Sequence, residues 1–272
     1  MEITQEREEP PVEETIAIKT AMSTHIGTRE YQQDALYVSD GERELVYGVL
    51  CDGMGGMEDG EKASAEVVEY LVNRLEVLDN EVDIPVFFEQ TIREANEKLL
   101  SLYGDRPQGP GTTLVTVVIK NGELYWASVG DSRIYIIRDS EIARMTRDHN
   151  YALQLEEQVR NGKITAEQAR LDPMREALIS YIGAPVLDII DVSRAPFLLQ
   201  KGDVILLCSD GLYKSLSDER ILELLLGHED DAGEKARTLP LAAFDESTGG
   251  QDNTSVIVIQ YGVLHLFDIN NI

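Results

Sequence analysis

Cysteine is nearly absent. The chain has two in 272 residues, Cys51 and Cys208, and only four histidines. That excludes a disulfide framework, and no Cys or His spacing matches a zinc site. Each cysteine sits in an apolar run just before an aspartate, so both are expected as small buried apolar residues. Basic residues are also few: 24 Lys+Arg face 50 Asp+Glu, a formal net charge of −26. Such a field repels DNA, RNA and anionic membranes, and repels a phosphorylated ligand unless cations stand between. No apolar run approaches the roughly 20 residues of a membrane span. The opening MEITQEREEPPVEET is acidic where a secretory leader is basic and then apolar. The expectation is a soluble, cytoplasmic protein without nucleic-acid or membrane partners. There is no GxxxxGK[ST] and no strand–GxGxxG–helix unit, so the glycines of DGMGG are not read as a nucleotide loop.

What is present is a core. Hydrophobic residues make up 43% of the chain, enough for one large domain. Residues 1–14 read as an acidic flexible tail, 15–262 as one domain and 263–272 as a C-terminal tail. Strands are expected from Ile16, at 35–38 and at 44–51. A helix opens at Gly60, with Ala65, Val68, Leu71, Val72 and Leu75 on one stripe. A second runs from Val86 to about Tyr103. Three strands follow across 112–146, with tight turns at Asn121-Gly122 and Asp139-Ser140. Residues 150–182 are polar and read as two short helices split by Asn161-Gly162. Strands are expected at 186–199 and 203–208, helices near 217–227 and 232–243, and a last strand at 254–261. Hairpins join most strands and helices come in pairs. The pattern predicts an α+β fold, two antiparallel sheets packed face to face with helices outside.

Five aspartates flank the apolar β runs: Asp34, Asp52, Asp131, Asp210 and Asp252. A desolvated carboxylate is costly unless a cation or several donors meet it. Few basic residues lie nearby in sequence, so a divalent metal is the simplest partner if the strands converge. Carboxylates, carbonyls and water suit Mg²⁺ or Mn²⁺, and Gly53 would let its carbonyl approach an ion closely. Any one of these acids alone would be read as a turn or helix cap.

In order, Arg29-Glu30-Tyr31-Gln32-Gln33-Asp34, Asp52-Gly53-Met54-Gly55-Gly56, Gly111-Thr112-Thr113, Val129-Gly130-Asp131-Ser132-Arg133, Ser209-Asp210-Gly211-Leu212 and Asp252-Asn253 resemble the metal-dependent protein phosphatases of the PPM/PP2C family, bacterial type. The resemblance runs over about 17–261. It implies a β-sandwich between pairs of antiparallel helices, with two Mn²⁺ or Mg²⁺ ions in a cleft at one end. It implies that Asp52 bridges both metals, that the Gly53 carbonyl ligates one, and that Asp210 and Asp252 hold the other. Asp34 would orient a metal-bound water and Arg29 would clamp the phosphate. Asp131 with Asp210 would support a third, weaker ion, and 150–182 would form the flap beside the cleft. The activity implied is hydrolysis of phosphoserine and phosphothreonine in proteins, by direct attack of a water bridging the two ions. The protein would act as a monomer opposing a serine/threonine kinase. Two departures stand out. Met54 takes the place of a proton-donating histidine found in some members, and Gln32 stands where bacterial members usually have asparagine. A catalytically impaired regulatory relative and a metal-dependent phosphatase of small metabolites remain the alternatives. Arg133, Tyr125 and Trp126 are expected to be structural, Ser209 a turn residue, and His149 a surface or helix-start histidine.

Overall fold

Strand β3 (Leu45–Met54) shows how the fold is built. Val46 and Leu50 point to one face, and Tyr47, Val49 and Cys51 to the other, yet both sets are buried. A second sheet covers the first face and helices cover the other, so the strand reads as a continuous apolar run although its pairing is antiparallel. The description rests on a computed structural model. It covers residues 16–55, 58–79, 81–103, 109–227 and 231–263. The expected tail 1–14, Gly56, and the expected tail 263–272 apart from Val263, which ends the last strand, lie outside the described residues.

In chain order, β1 (Ala17–His25), β2 (Asp34–Val38) and β3 precede a helix pair, α1 (Glu58–Glu76) and α2 (Ile84–Tyr103). A β region follows: β4 (Gly111–Thr112), β5 (Leu114–Lys120), β6 (Glu123–Val129), β7 (Arg133–Arg138) and β8 (Glu141–Arg144). Two short helices, α3 (Ala152–Arg160) and α4 (Ala166–Arg170), lead to β9 (Asp191–Val192), β10 (Phe197–Leu198) and β11 (Val204–Cys208). The described chain closes with α5 (Asp210–Tyr213), α6 (Asp218–Leu226), α7 (Ala232–Glu246) and β12 (Thr254–Val263).

One sheet runs β1-β12-β11-β7-β8 and the other β10-β6-β5-β3-β2, with β4 on β3 and β9 on β6. All their pairings are antiparallel. Leu50, Val117, Ile134, Ile205, Leu207 and Ile257 fill the space between the sheets. Helices α1 and α2 cover the second sheet through Leu71, Phe88 and Ile92. Helices α6 and α7 cover the first through Ile221, Leu225 and Leu239. The predicted α+β sandwich is therefore the fold observed. Cys51 and Cys208 are unpaired and face opposite helix layers. Among the described residues, no helix is long and apolar enough to cross a membrane.

Two expectations about elements need correction. Past the end of β4, the segment 112–146 holds four strands, β5 to β8, not three, because Gly130, with φ of +98°, breaks the chain between β6 and β7, which lie in different sheets. The stretch 186–199 is mostly irregular, with ladder pairing only at β9 and β10. Pro185 and Pro196 cannot donate to a ladder, and Val186 is 68% exposed.

Candidate metal centre

Pairing of β2 with β3 sets Asp34 opposite Asp52 in register. The Asp52 main chain is held on its other side by Thr113, whose Oγ1 accepts from Asp52 N at 3.0 Å and whose N donates to Asp52 O at 2.9 Å. Asp131 follows Gly130, whose φ of +98° turns the chain out of β6. Asp210 opens α5 directly after β11, and Asp252 precedes β12. Strands adjacent in the two sheets therefore end together. Asp52, Asp131, Asp210 and Asp252 line one cleft of about 370 Å³, with Arg29, Gly53 and Lys214. Asp34 lies behind it, 7% exposed.

The acids feel one another. Burial, opposed by hydrogen bonds from Ser255 and Ser209, pushes Asp34 up to about 7, and Asp210 and Asp252 add to the rise. Burial and then Asp210 push Asp131 up to about 6, with Lys214 pulling the other way. Asp52 is raised well above the carboxylate range by burial and by the other four aspartates. Neighbouring like charges act in this way when no cation lies between them.

Partial compensation comes from two basic side chains. Lys214 Nζ donates to Asp210 Oδ2, and Arg29 Nη2 donates to Asp252 Oδ2 at 2.7 Å. Burial lowers the Lys214 ammonium, but Asp210, Asp131 and Asp52 outweigh it and raise it. Among the described residues, no three His, Cys, Asp or Glu side chains stand in an arrangement that could hold a metal ion as they are placed. Asp210 and Asp252 turn instead towards these cations. Even so, the donor set fits a hard divalent ion. It is all oxygen, and Asp34 Oδ1 and Asp210 Oδ1 are buried with no hydrogen-bond partner.

Several residues of this site have partners that the sequence does not reveal. Asn253 ties three loops together: its Oδ1 accepts from Gln33 N at 2.7 Å, and its Nδ2 donates to Ile26 O and Tyr31 O. Ser209 is more than a turn residue. Its Oγ donates to Asp34 Oδ2 at 2.8 Å and accepts from Ser255 N at 3.0 Å. Lys214 had one local signal, its i,i+4 spacing from Asp210. Gln32 Oε1 accepts from Asp34 N at 3.0 Å, and Met54 lines the cleft. Glu176 and Leu178, from the segment after α4, reach the same cleft. That segment is stitched to 149–152 by Ile179 N to His149 O and Tyr151 N to Ala177 O.

His149 is not a surface residue: it is fully buried. Its Nδ1 accepts from Gly130 N at 3.1 Å, which leaves Nε2 to donate to Asp191 Oδ2 at 3.1 Å. Hydrophobic scale alone could not show this, because the partners lie 19 and 42 positions away. Arg133 is structural as expected, bidentate on Asp148 and stacked 3.4 Å over the Tyr213 ring.

A family model described as protein phosphatase 2C matches residues 23–233. The serine/threonine phosphatase stp of Listeria monocytogenes serotype 4b is 30% identical over 238 residues, 85% of this chain and 91% of its own. Among solved structures, the S. agalactiae serine/threonine phosphatase superposes with a TM-score of 0.78 at 30% identity, covering 89% of this chain and 99% of that one. The catalytic domain of the serine/threonine protein phosphatase PstP, solved in complex with two manganese ions, gives 0.72 at 30% identity, over 92% and 100%.

Proposed function

Because the chain belongs to the protein phosphatase 2C family of metal-dependent serine/threonine protein phosphatases, we propose that Asp52, Asp210, Asp252 and the Gly53 carbonyl hold two divalent cations, Mn²⁺ or Mg²⁺, at its cleft, with Asp34 placed to orient a water beside them. The observation that carries this reading is the pair of buried, unpartnered oxygens, Asp34 Oδ1 and Asp210 Oδ1, in a cleft whose acids repel one another. Bound there, such ions would supply Lewis acidity to the phosphate oxygens and activate a water for direct attack on phosphorus.

The chain's own groups set the geometry. The rigid ends of β2, β3 and β12 keep the acids at fixed separations. Ser209 anchors Asp34 Oδ2, which leaves Oδ1 free to orient a water. Arg29 is half-exposed on Asp252, so its fork is available to two phosphate oxygens. Met54 has no proton to give a leaving alkoxide. Cys51 and Cys208 are buried, with thiols pushed up by desolvation, and serve as packing rather than as nucleophiles. Free thiols of this kind suit a reducing cytoplasm. The catalytic unit is taken as about 15–262 with a flap at about 150–182, acting as a monomer against a serine/threonine kinase.

The test is turnover of p-nitrophenyl phosphate and of a phosphothreonine peptide, in Mn²⁺ and in EDTA. Activity is expected only with metal, and Asp52→Asn should remove nearly all of it. Full turnover in EDTA would overturn the reading. Metal-dependent hydrolysis of sugar phosphates without phosphopeptides would point to small metabolites instead.

A further inference from the structure

Lys214 brings a positive charge onto the acids of the cleft. It caps the short helix α5, and its main-chain N donates to Asp210 O at 3.0 Å. Its ammonium bonds Asp210 Oδ2 and faces the cleft shared by Asp52 and Asp131. The placement is built rather than incidental. The preceding residue, Tyr213, donates its phenol to Asp131 O at 3.0 Å, and Arg133 stacks on its ring. Lys214 is thereby bonded to Asp210 and fixed, through its neighbour Tyr213, beside Asp131, the two acids that the resemblance gives to a third ion.

We propose that the Lys214 ammonium is a resident cation that takes the place of a third divalent ion at Asp131 and Asp210, so that the chain binds two ions and excludes another. The inference rests on the two-ion reading above. A monovalent charge fixed on Asp210 repels an incoming dication and occupies the oxygen it needs. Because the lysine side chain is 45% exposed, removing it opens the position without leaving a cavity in the core.

Mn²⁺ equivalents are counted by isothermal titration calorimetry on chelator-stripped full chain, with folding checked by circular dichroism. Two equivalents are expected for the wild type and for Lys214→Arg. Lys214→Met should gain a third, bound at least about tenfold more tightly than any third equivalent of the wild type. Adding Asp131→Asn should remove it again. Equal counts and affinities for wild type and Lys214→Met, or three comparable equivalents in the wild type, would sink the resident-cation role while sparing the two-ion site. No binding by either protein would sink both.

Discussion

Gly53 is the tightest point on the cleft floor. A Cβ there would lie 2.1 Å from Gly60 O and 2.6 Å from Gln33 O, both main-chain atoms. Neither can give way without moving α1 or the loop before β2. Gly53→Ala should therefore destabilise the fold by roughly 1–3 kcal/mol, read as a lower urea midpoint with unchanged slope. An unchanged midpoint would mean this packing is not a constraint. The aspartates and Gly53 were legible because acid and glycine at the tip of an apolar run is a local pattern. Thr113 and Asn253 stood out only as members of motifs, and what they bond was not legible, since those bonds span 61 and 220 positions. His149 misled for the same reason: its burial depends on Gly130 and Asp191, not on its neighbours in sequence.

Hairpins were the most readable elements, because turn chemistry is decided over two residues. Asn121 and Gly122 have φ of 53° and 77°, and Asp139 and Ser140 have 52° and 61°. Two successive positive φ values make the turn whose twist matches the flanking strands. At the first turn glycine takes the second place without strain. At the second turn Ser140 holds a left-handed conformation that costs an L-residue roughly 1 kcal/mol. Ser140→Gly removes that cost, partly offset by greater freedom of the unfolded chain. The expected net gain is about 0.5 kcal/mol, seen as a melting midpoint higher by ~1–2 °C. Ser140 is exposed, so no packing change competes, and a lower midpoint would contradict the strain argument. The helix pairs were legible from their apolar stripes, and Pro85 falls in the first turn of α2, where its missing N–H costs nothing. The stretch 186–199 misled because apolar residues there pack from irregular chain as well as from β9 and β10: Leu187 is buried without any ladder pairing. Composition does not separate that from a strand.

For the molecule as a whole, the net charge of −26 and the charge of the cleft are different problems. Most surface acids finish ionising by about pH 6, since their unperturbed values lie near 4. Asp34, Asp52 and Asp131 do not. Asp34 moves from 3.8 to about 7 and Asp131 from 3.8 to about 6 on folding. A carboxylate raised in this way favours folding while it is protonated. Its contribution is complete below about 3.8 and is lost as pH rises through about 6 to 7. In EDTA the melting midpoint should therefore fall as pH goes from about 5 to 8. In Mn²⁺ the order should reverse, because protons compete with the metal for the same oxygens and stabilisation by the ion grows as they leave. Asp34→Asn cannot ionise, so it should flatten the decline in EDTA and reduce the gain in Mn²⁺. The two profiles must cross over or converge towards low pH. A midpoint in EDTA that holds steady or climbs over that range would show that the cleft acids are already compensated within the protein, by Lys214, Arg29 and their hydrogen bonds, without need of a divalent ion.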